Sequence, residues 1–347
     1  MVGETPHGIA RYASALWEGL PARQDLAYAA LCRPGAKVAR RRPTDRLILS
    51  RSPFLSPLEQ LELPWLLRRA GVDLLHATSF AVPAAWRGPL VLTLHDMNHL
   101  ALPGWAGPGR KPYYDALVLP AARRASQILT VSAFAGREIA RWTGVPEGRI
   151  AVAPDAIGDA YRPPSPEAAA AVRQRFQLPG RYLLCLASGR SHKNVGLLIE
   201  ALAGRPGPPL VLCGHGFESF AAHSPRLRLL PEVADADLPA LYGGAALFLF
   251  PSVHEGFGLP PLEAAASGAP LLVARGSALD EIWDGVALQL PPHRPARWAE
   301  AIAELLADEP RRLALAARCA ARAERYRSWA EAIAAAERAY QAALRFV

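Results

Sequence analysis

Cysteine is scarce and scattered in this chain. Cys32, Cys185, Cys213 and Cys319 are the four cysteines in 347 residues. No two are close enough for a CxxC zinc or redox pair. Cys185 and Cys213 sit in apolar runs and read as small core residues, which suits a reducing compartment. Long hydrophobic runs are missing too: nothing approaches the roughly 18 residues of a membrane span. The opening Met1-Val2-Gly3-Glu4-Thr5-Pro6 is polar and turn-like, unlike a secretory leader. No internal repeat or low-complexity tract stands out. A cytoplasmic protein is the expectation, and a hydrophobic content of 51% argues against disorder.

The length favours two domains. The net charge of +8 is uneven, since residues 1–160 carry 19 basic and 13 acidic side chains. A basic first half suits an anionic partner, such as a lipid surface or a phosphorylated substrate; a plain solvated surface accounts for it equally well. Arg40-Arg41-Arg42 has no interleaved aromatics, so no nucleic acid is expected.

Short apolar runs alternate with helical patterns almost throughout, the signature of parallel sheets covered by helices. In the first half, strands are expected at 26–32, 73–76, 90–94, 127–131 and 150–153, with helices at 9–20, 57–70, 113–124 and 133–143. Ser132 is placed to cap the last of these. The Pro-rich stretch 162–166 reads as a linker. Strands then follow at 182–187, 210–213, 227–230, 247–250, 270–274 and 287–290. Helices are expected near 195–203, 238–243, 261–267 and 297–307, and an Ala-rich helical tail has a break near 326–329. The expected domains are 1–165 and 166–327, with a final helix at 328–347. Two doubly wound domains would face a central cleft, with ligands beyond the carboxyl ends of the strands.

Four strand-end segments could carry chemistry. The sharpest is His254-Glu255-Gly256-Phe257-Gly258-Leu259-Pro260-Pro261-Leu262-Glu263, directly after an apolar strand. Its glycines admit a ligand to the backbone. Its prolines suit the first turn of a helix, whose N–H groups and dipole attract an anion. Glu255 and Glu263 could accept hydrogen bonds from several sugar hydroxyls; a Gly-Pro turn bearing surface carboxylates is the plainer alternative. The second segment is Gly189-Arg190-Ser191-His192-Lys193-Asn194. Two cations three residues apart at a helix N-terminus suit a diphosphate, with Arg bridging two oxygens and Lys acting as a point charge. An ordinary basic loop would look similar. The third is Thr93-Leu94-His95-Asp96, and the fourth Gly8-Ile9-Ala10-Arg11-Tyr12.

The Glu255-x7-Glu263 string, with Pro251-Ser252 before it and Ala264 directly after Glu263, resembles glycosyltransferase family 4, the retaining enzymes of the GT-B fold. The resemblance spans nearly the whole chain. It implies that Glu255 contacts the donor sugar and Glu263 the ribose hydroxyls. Gly256, Phe257, Gly258 and Leu259 would line the donor, with backbone N–H groups from Gly258 and Leu259. Gly189 opens the loop in which Arg190 and Lys193 match the family's cations for the leaving diphosphate. His95 matches a histidine that reaches the donor sugar, with Asp96 orienting it or capping the loop. Gly8 and Arg11 match the family's Gly-rich turn near diphosphate and acceptor, though Ala10 replaces a glycine. Val233 lies where the family contacts the base. Ser277-Ala278-Leu279-Asp280-Glu281 resembles a family loop, and Pro154-Asp155-Ala156 replaces the commoner Pro-Asn-Gly. The tail resembles the helix that crosses back onto the first domain. In the family a strand precedes the Gly-rich turn, whereas seven residues precede Gly8 here. Either the start is called late or the first strand is absent, and an absent strand would put activity in question.

The implied reaction is retaining transfer of a hexose from a nucleotide diphosphate sugar, by front-face attack of an acceptor hydroxyl. Arg190, Lys193 and helix N-termini would meet the leaving charge, so neither a metal nor a further cofactor is expected. The combined motifs resemble bacterial mannosyltransferases of cell-surface polysaccharides. That makes GDP-mannose the first donor and UDP-hexoses the next. A glycan or lipid-linked acceptor is implied, with peripheral contact at the inner membrane face. A nucleotide-sugar-binding pseudoenzyme and a GT-B sugar-nucleotide epimerase remain as alternatives.

Overall fold

The computed structural model describes residues 8–38, 42–101, 110–223, 226–230 and 233–345. Residues 1–7, on which the expectation about a first strand falls, lie outside these, as do Arg40, Arg41, Pro231 and Glu232. The chain divides into two compact units, Met1–Asp155 with Trp329–Val347, and Ala156–Ser328.

The first unit opens with α1 (Gly8–Gly19), then β1 (Ala29–Cys32) and β2 (Arg46–Leu49). The run at 26–32 thus forms a shorter strand, and its partner β2 was not foreseen. The two make a separate parallel pair. After α2 (Glu59–Arg69), the strands β3 (Leu75–Ala77), β4 (Leu90–Thr93), β5 (Gln127–Thr130) and β6 (Ile150–Val152) form a parallel sheet in that order. Alternation along the strands gives the sheet two dry faces. Leu90, Leu92, Leu94 and Ile128 enter one cluster with Tyr114, Val118 and Ile139. Val91 and Leu129 enter another with Tyr12, Leu16 and the C-terminal helix Ala330–Leu344. That helix buries Ala332, Ala335, Ala336, Ala339 and Ala343. Its 3- and 4-residue spacing presents methyl groups on one face, so the backbone can lie close to the sheet.

The connection from β5 to β6 is α6 (Ala133–Thr143), preceded by the short helices α3 (Asn98–Ala101), α4 (Arg110–Tyr113) and α5 (Leu119–Arg124). Ser132 Oγ accepts the Ala135 N–H at 3.0 Å, and Gly144 closes α6 with φ 70°. This is an N-cap paired with a left-handed C-terminal glycine.

In the second unit the Pro-rich stretch runs into α7 (Pro166–Arg175), where Ser165 caps Ala168 and Pro166 takes a first-turn position. The sheet comprises β7 (Leu183–Leu186), β8 (Leu210–Cys213), β9 (Leu227–Leu230), β10 (Leu247–Phe250), β11 (Leu271–Ala274) and β12 (Leu288–Leu290). All pairings are parallel, in the order β12-β11-β10-β7-β8-β9. The winding reverses between β7 and β10, so their carboxyl ends flank the topological switch point. The connecting helices are α8 (Val195–Leu202), α9 (Leu238–Gly243), α10 (Leu259–Ala266), α11 (Ala278–Trp283), α12 (Pro295–Ala307) and α13 (Glu309–Ala323). Two local readings are corrected. α10 begins at Leu259, ahead of Pro261, and the segment from Ser277 is the capped start of α11, not a loop.

Candidate functional site

The loop after β7 and the loop after β10 meet at the switch point. Lys193 closes a 3-10 turn (Ser191–Lys193), and its ammonium lies 2.5 Å from Glu255 Oε1. Both side chains are largely buried, at 19% and 10% exposure, so the pair forms in a medium well below water in dielectric. Lys193 Nζ also lies 5.4 Å from the Phe250 ring centre. Arg190 is exposed at the turn's entry.

Backbone stitching holds the two loops together. The His192 carbonyl accepts the Val253 N–H at 2.8 Å and Ser252 Oγ–H at 3.2 Å. Asn194, at φ 53°, donates its amide to the carbonyls of Pro251 (3.2 Å) and Pro292 (2.7 Å). His192 is buried, and that burial, followed by Lys193, lowers its pKa to about 4. The imidazole stays neutral beside the ammonium.

Gly189 is pressed against a loop that sequence reasoning passed over. Its N–H donates to the His215 carbonyl at 2.8 Å, and a Cβ there would lie 2.0 Å from the Gly216 carbonyl oxygen. The signal was the Gly214-His215-Gly216 string directly after β8.

Gly258 takes φ 97° at the N-cap of α10. Pro260 and Pro261 then occupy the next turn, and neither has an N–H. Within that Leu259-Pro260-Pro261 turn the remaining donor is therefore Leu259. Gly256 and Phe257 are buried, with Phe257 edge-on to Tyr326 at 5.5 Å. Glu263 is buried one turn into α10 and accepts the Tyr242 hydroxyl at 3.0 Å. Burial, and then the Glu263 charge, push the Tyr242 pKa well above its ordinary value, so it remains a donor. The Ala278 N–H donates to the Glu255 carbonyl at 3.2 Å, which ties the start of α11 to the same loop. Val233 is half-buried after β9.

The sequence carries one Asp-x-Asp string ahead of α9, Asp235-Ala236-Asp237. Asp237 sits at the start of α9 and pairs with Arg175 at 2.5 Å. Among the described residues, no group of three or more His, Cys, Asp or Glu is arranged to hold a metal.

His95, Gly8 and Arg11 belong to the first unit. His95 Nε2 lies 3.1 Å from the Thr78 carbonyl, which only accepts, so Nε2 carries the proton. Its ring stands edge-on to Tyr12 at 5.0 Å. Beneath it runs a buried chain that joins Tyr12 and Thr93 of the two first-unit segments to His76 and Tyr340, which lie in neither. Tyr12 Oη meets Thr93 Oγ1 at 3.2 Å, Thr93 Oγ1 meets His76 Nε2 at 2.8 Å, and His76 Nδ1 meets Tyr340 Oη at 2.7 Å. Burial, with a smaller effect from His95, lowers the His76 pKa to about 3. Asp96 accepts the Asn98 backbone and side-chain N–H groups at 3.0 and 2.9 Å, capping its own loop. Gly8 starts α1, whose Arg11 carries a charge felt by Asp155.

Asp155 is buried after β6, and its Oδ1 has no hydrogen-bond partner among the described residues. Burial raises its pKa to about 7 from 3.8, with Arg11 acting in the opposite direction. The native carboxyl therefore keeps its proton where the unfolded one has lost it. The contribution of Asp155 to stability falls as pH rises from about 4 to about 7 and is level above that. Asp155→Asn, which mimics the protonated form, is expected to stabilise the chain by about 2–4 kcal/mol at pH 8 and much less at pH 5. Urea unfolding at the two pH values measures this. An equal effect at both would show that Asp155 does not titrate there.

Two family models match the chain. One described as "Glycosyltransferase Family 4" covers residues 6–160, and one described as "Glycosyl transferases group 1" covers residues 170–325. The O-antigen chain mannosyltransferase B of Escherichia coli is 31% identical over 300 residues, 81% of this chain and 78% of that protein. Among solved structures, sucrose-phosphate synthase from Thermosynechococcus elongatus aligns with a TM-score of 0.78 at 17% identity, over 98% of this chain and 93% of that one. Anabaena Alr3699/HepE in complex with UDP and glucose aligns with a TM-score of 0.70 at 20% identity, over 86% of each chain. At these identities the structural matches speak for the fold.

Proposed function

This chain belongs to the family 4 glycosyltransferases of the GT-B fold and is a hexosyltransferase, and from that premise we propose that it transfers mannose from GDP-mannose, with retention and without a metal, to a hydroxyl of a glycan or lipid-linked acceptor at a membrane face. The observation that carries the reading is the Lys193–Glu255 pair at the β7/β10 switch point. An ammonium and a carboxylate held side by side suit a ligand with a phosphate at one end and hydroxyls at the other. A donor diphosphate would take Lys193 and Arg190, and Glu255 would accept sugar hydroxyls. The Leu259 N–H would add a neutral donor to the same charge. Glu263, held by Tyr242, is suited to the ribose hydroxyls.

The chemical difficulty is expelling a nucleoside diphosphate from an oxocarbenium-like centre. Fixed cations lower that barrier because they need no reorganisation as charge develops on the leaving group. No protein nucleophile is assigned, so the acceptor hydroxyl attacks from the face the diphosphate leaves. His95 takes its donor-sugar contact from the family resemblance, with its tautomer set by Thr78. Mannose is favoured by the match to an O-antigen mannosyltransferase.

The test is mass-spectrometric detection of sugar transfer to a lipid-linked acceptor panel, with EDTA present. GDP-mannose, UDP-glucose and UDP-N-acetylglucosamine are offered in turn. Mannosyl transfer despite EDTA is expected, and the product's anomeric configuration should match the donor's. Transfer from a UDP-sugar instead would correct the donor. Loss of transfer on chelation, restored by a divalent ion, would overturn metal independence.

A further inference from the structure

Six of the eight large hydrophobic side chains exposed among the described residues fall between Leu49 and Trp65, a density that water opposes. Leu58, Leu61 and Trp65 are 62%, 74% and 57% exposed. Spaced by three and four residues, they form one stripe along α2. Leu63 and Leu67 cover the opposite side and are buried. The helix is thus apolar on two faces, with one of them turned to solvent. Arg68 and Arg69 extend the exposed stripe by a turn, and the Arg69 guanidinium lies 5.5 Å from the Trp65 ring centre.

The loop before α2 presents Phe54 and Leu55, both exposed. Leu55 stands at φ 60°, a left-handed conformation that a leucine adopts at a cost. The buried Glu59 holds it there by accepting the Leu55 N–H at 2.5 Å. Glu62 is turned back in the same way, accepting the Arg51 and Ser52 N–H groups and the Ser50 hydroxyl. Both carboxylates of the segment are therefore occupied in shaping the loop. Arg51, Arg68 and Arg69 are left exposed at the margin of the apolar face.

We propose that this face, made by Phe54, Leu55, Leu58, Leu61 and Trp65 and rimmed by Arg51, Arg68 and Arg69, docks on the surface of an anionic phospholipid bilayer. Apolar side chains ringed by guanidinium groups match acyl chains ringed by phosphates. A tryptophan paired with an arginine suits the boundary between them. The basic balance of residues 1–160 adds long-range attraction of the same sign. No described helix is long and apolar enough to cross a membrane. The assignment gives the lipid contact of the proposed function a place on the chain, but it stands on the exposed face and not on the identity of donor or acceptor.

Flotation of the full chain with phosphatidylcholine vesicles, with and without phosphatidylglycerol, tests it. Binding is expected with phosphatidylglycerol present. The Leu61→Ser/Trp65→Ser variant should bind about tenfold more weakly or worse. Arg68→Gln and Arg69→Gln should each weaken binding to the anionic vesicles about fivefold. These side chains point to solvent, so circular dichroism and thermal unfolding should be unchanged. Equal flotation of the parent chain and the double variant would overturn the proposal. So would a concentration-dependent dimer in sedimentation velocity that the double variant abolishes, since a second copy would then cover the face. Neither readout uses sugar transfer, so failure here and failure of the transferase reading are distinguishable.

Discussion

Lys193→Ala is expected to lower kcat for sugar transfer by about 100- to 1,000-fold, the usual consequence of removing one fixed charge from a developing anion. Lys193 sits 2.5 Å from Glu255, and truncating it takes the ion-pair partner from a largely buried carboxylate. Breaking a buried pair from one side costs about 3–5 kcal/mol. The carboxylate is 10% exposed and the shortened side chain admits water beside it, so about 2–3 kcal/mol is expected here. The two effects separate in a second variant. Lys193→Ala combined with Glu255→Gln removes the stranded charge and should recover most of the stability, while transfer stays lost. Steady-state kinetics with the accepted donor, alongside urea unfolding, reads both. If the double variant recovered transfer together with stability, the ion pair would be structural and its catalytic assignment wrong.

Gly189→Ala should be nearly as damaging, for a different reason. Its φ is not in the left-handed range, so backbone conformation does not demand glycine there. Space does. A Cβ would lie 2.0, 2.6 and 2.8 Å from the O, C and Cα of Gly216, all of them backbone atoms that cannot swing aside. The loops after β7 and β8 must part, and the Gly189 N–H to His215 carbonyl bond at 2.8 Å goes with them. The stability cost is about 2–4 kcal/mol, combining steric overpacking with a lost hydrogen bond. Arg190 and Lys193 ride on the displaced loop, and a shift of about 1 Å in positioning groups is worth about 100-fold in kcat/KM. Gly144→Ala provides the comparison. It has φ 70° and nothing within 4 Å of its added Cβ, so it should cost about 1 kcal/mol and leave kcat/KM unchanged. Equal kinetic effects from the two would show that loop displacement is not the cause.

Strands could be read from the sequence because each is a short apolar run buried on both faces. β8, β9 and β10 fall at the expected residues. β2 escaped because Arg46-Leu47-Ile48-Leu49 is brief and begins with a charge, and it forms only by pairing with β1. α11 escaped because Ser277-Ala278-Leu279-Asp280-Glu281 has loop-like composition; its cap is a single contact, Ser277 Oγ accepting the Leu279 N–H at 3.3 Å. Glu255, Glu263, Arg190 and Lys193 were singled out from local strings. Several partners were not: Tyr242 for Glu263, the Gly214–Gly216 loop for Gly189, and His76 and Tyr340, which extend the Tyr12–Thr93 contact.

Local order in the sequence determined the α/β class, the strand–helix alternation and the strand-end glycines, carboxylates and cations. These follow from hydrophobic period and turn chemistry, both properties of neighbouring residues. Tertiary structure alone decided which strand ends meet. The β12-β11-β10-β7-β8-β9 order makes β7 and β10 neighbours, and so joins Lys193 to Glu255 across 62 residues. It likewise closed the His76–Tyr340 contact across 264 residues and left the outer face of α2 uncovered. A local pattern specifies that a face will be buried or a loop will turn; which partner arrives there depends on the packing of the whole chain.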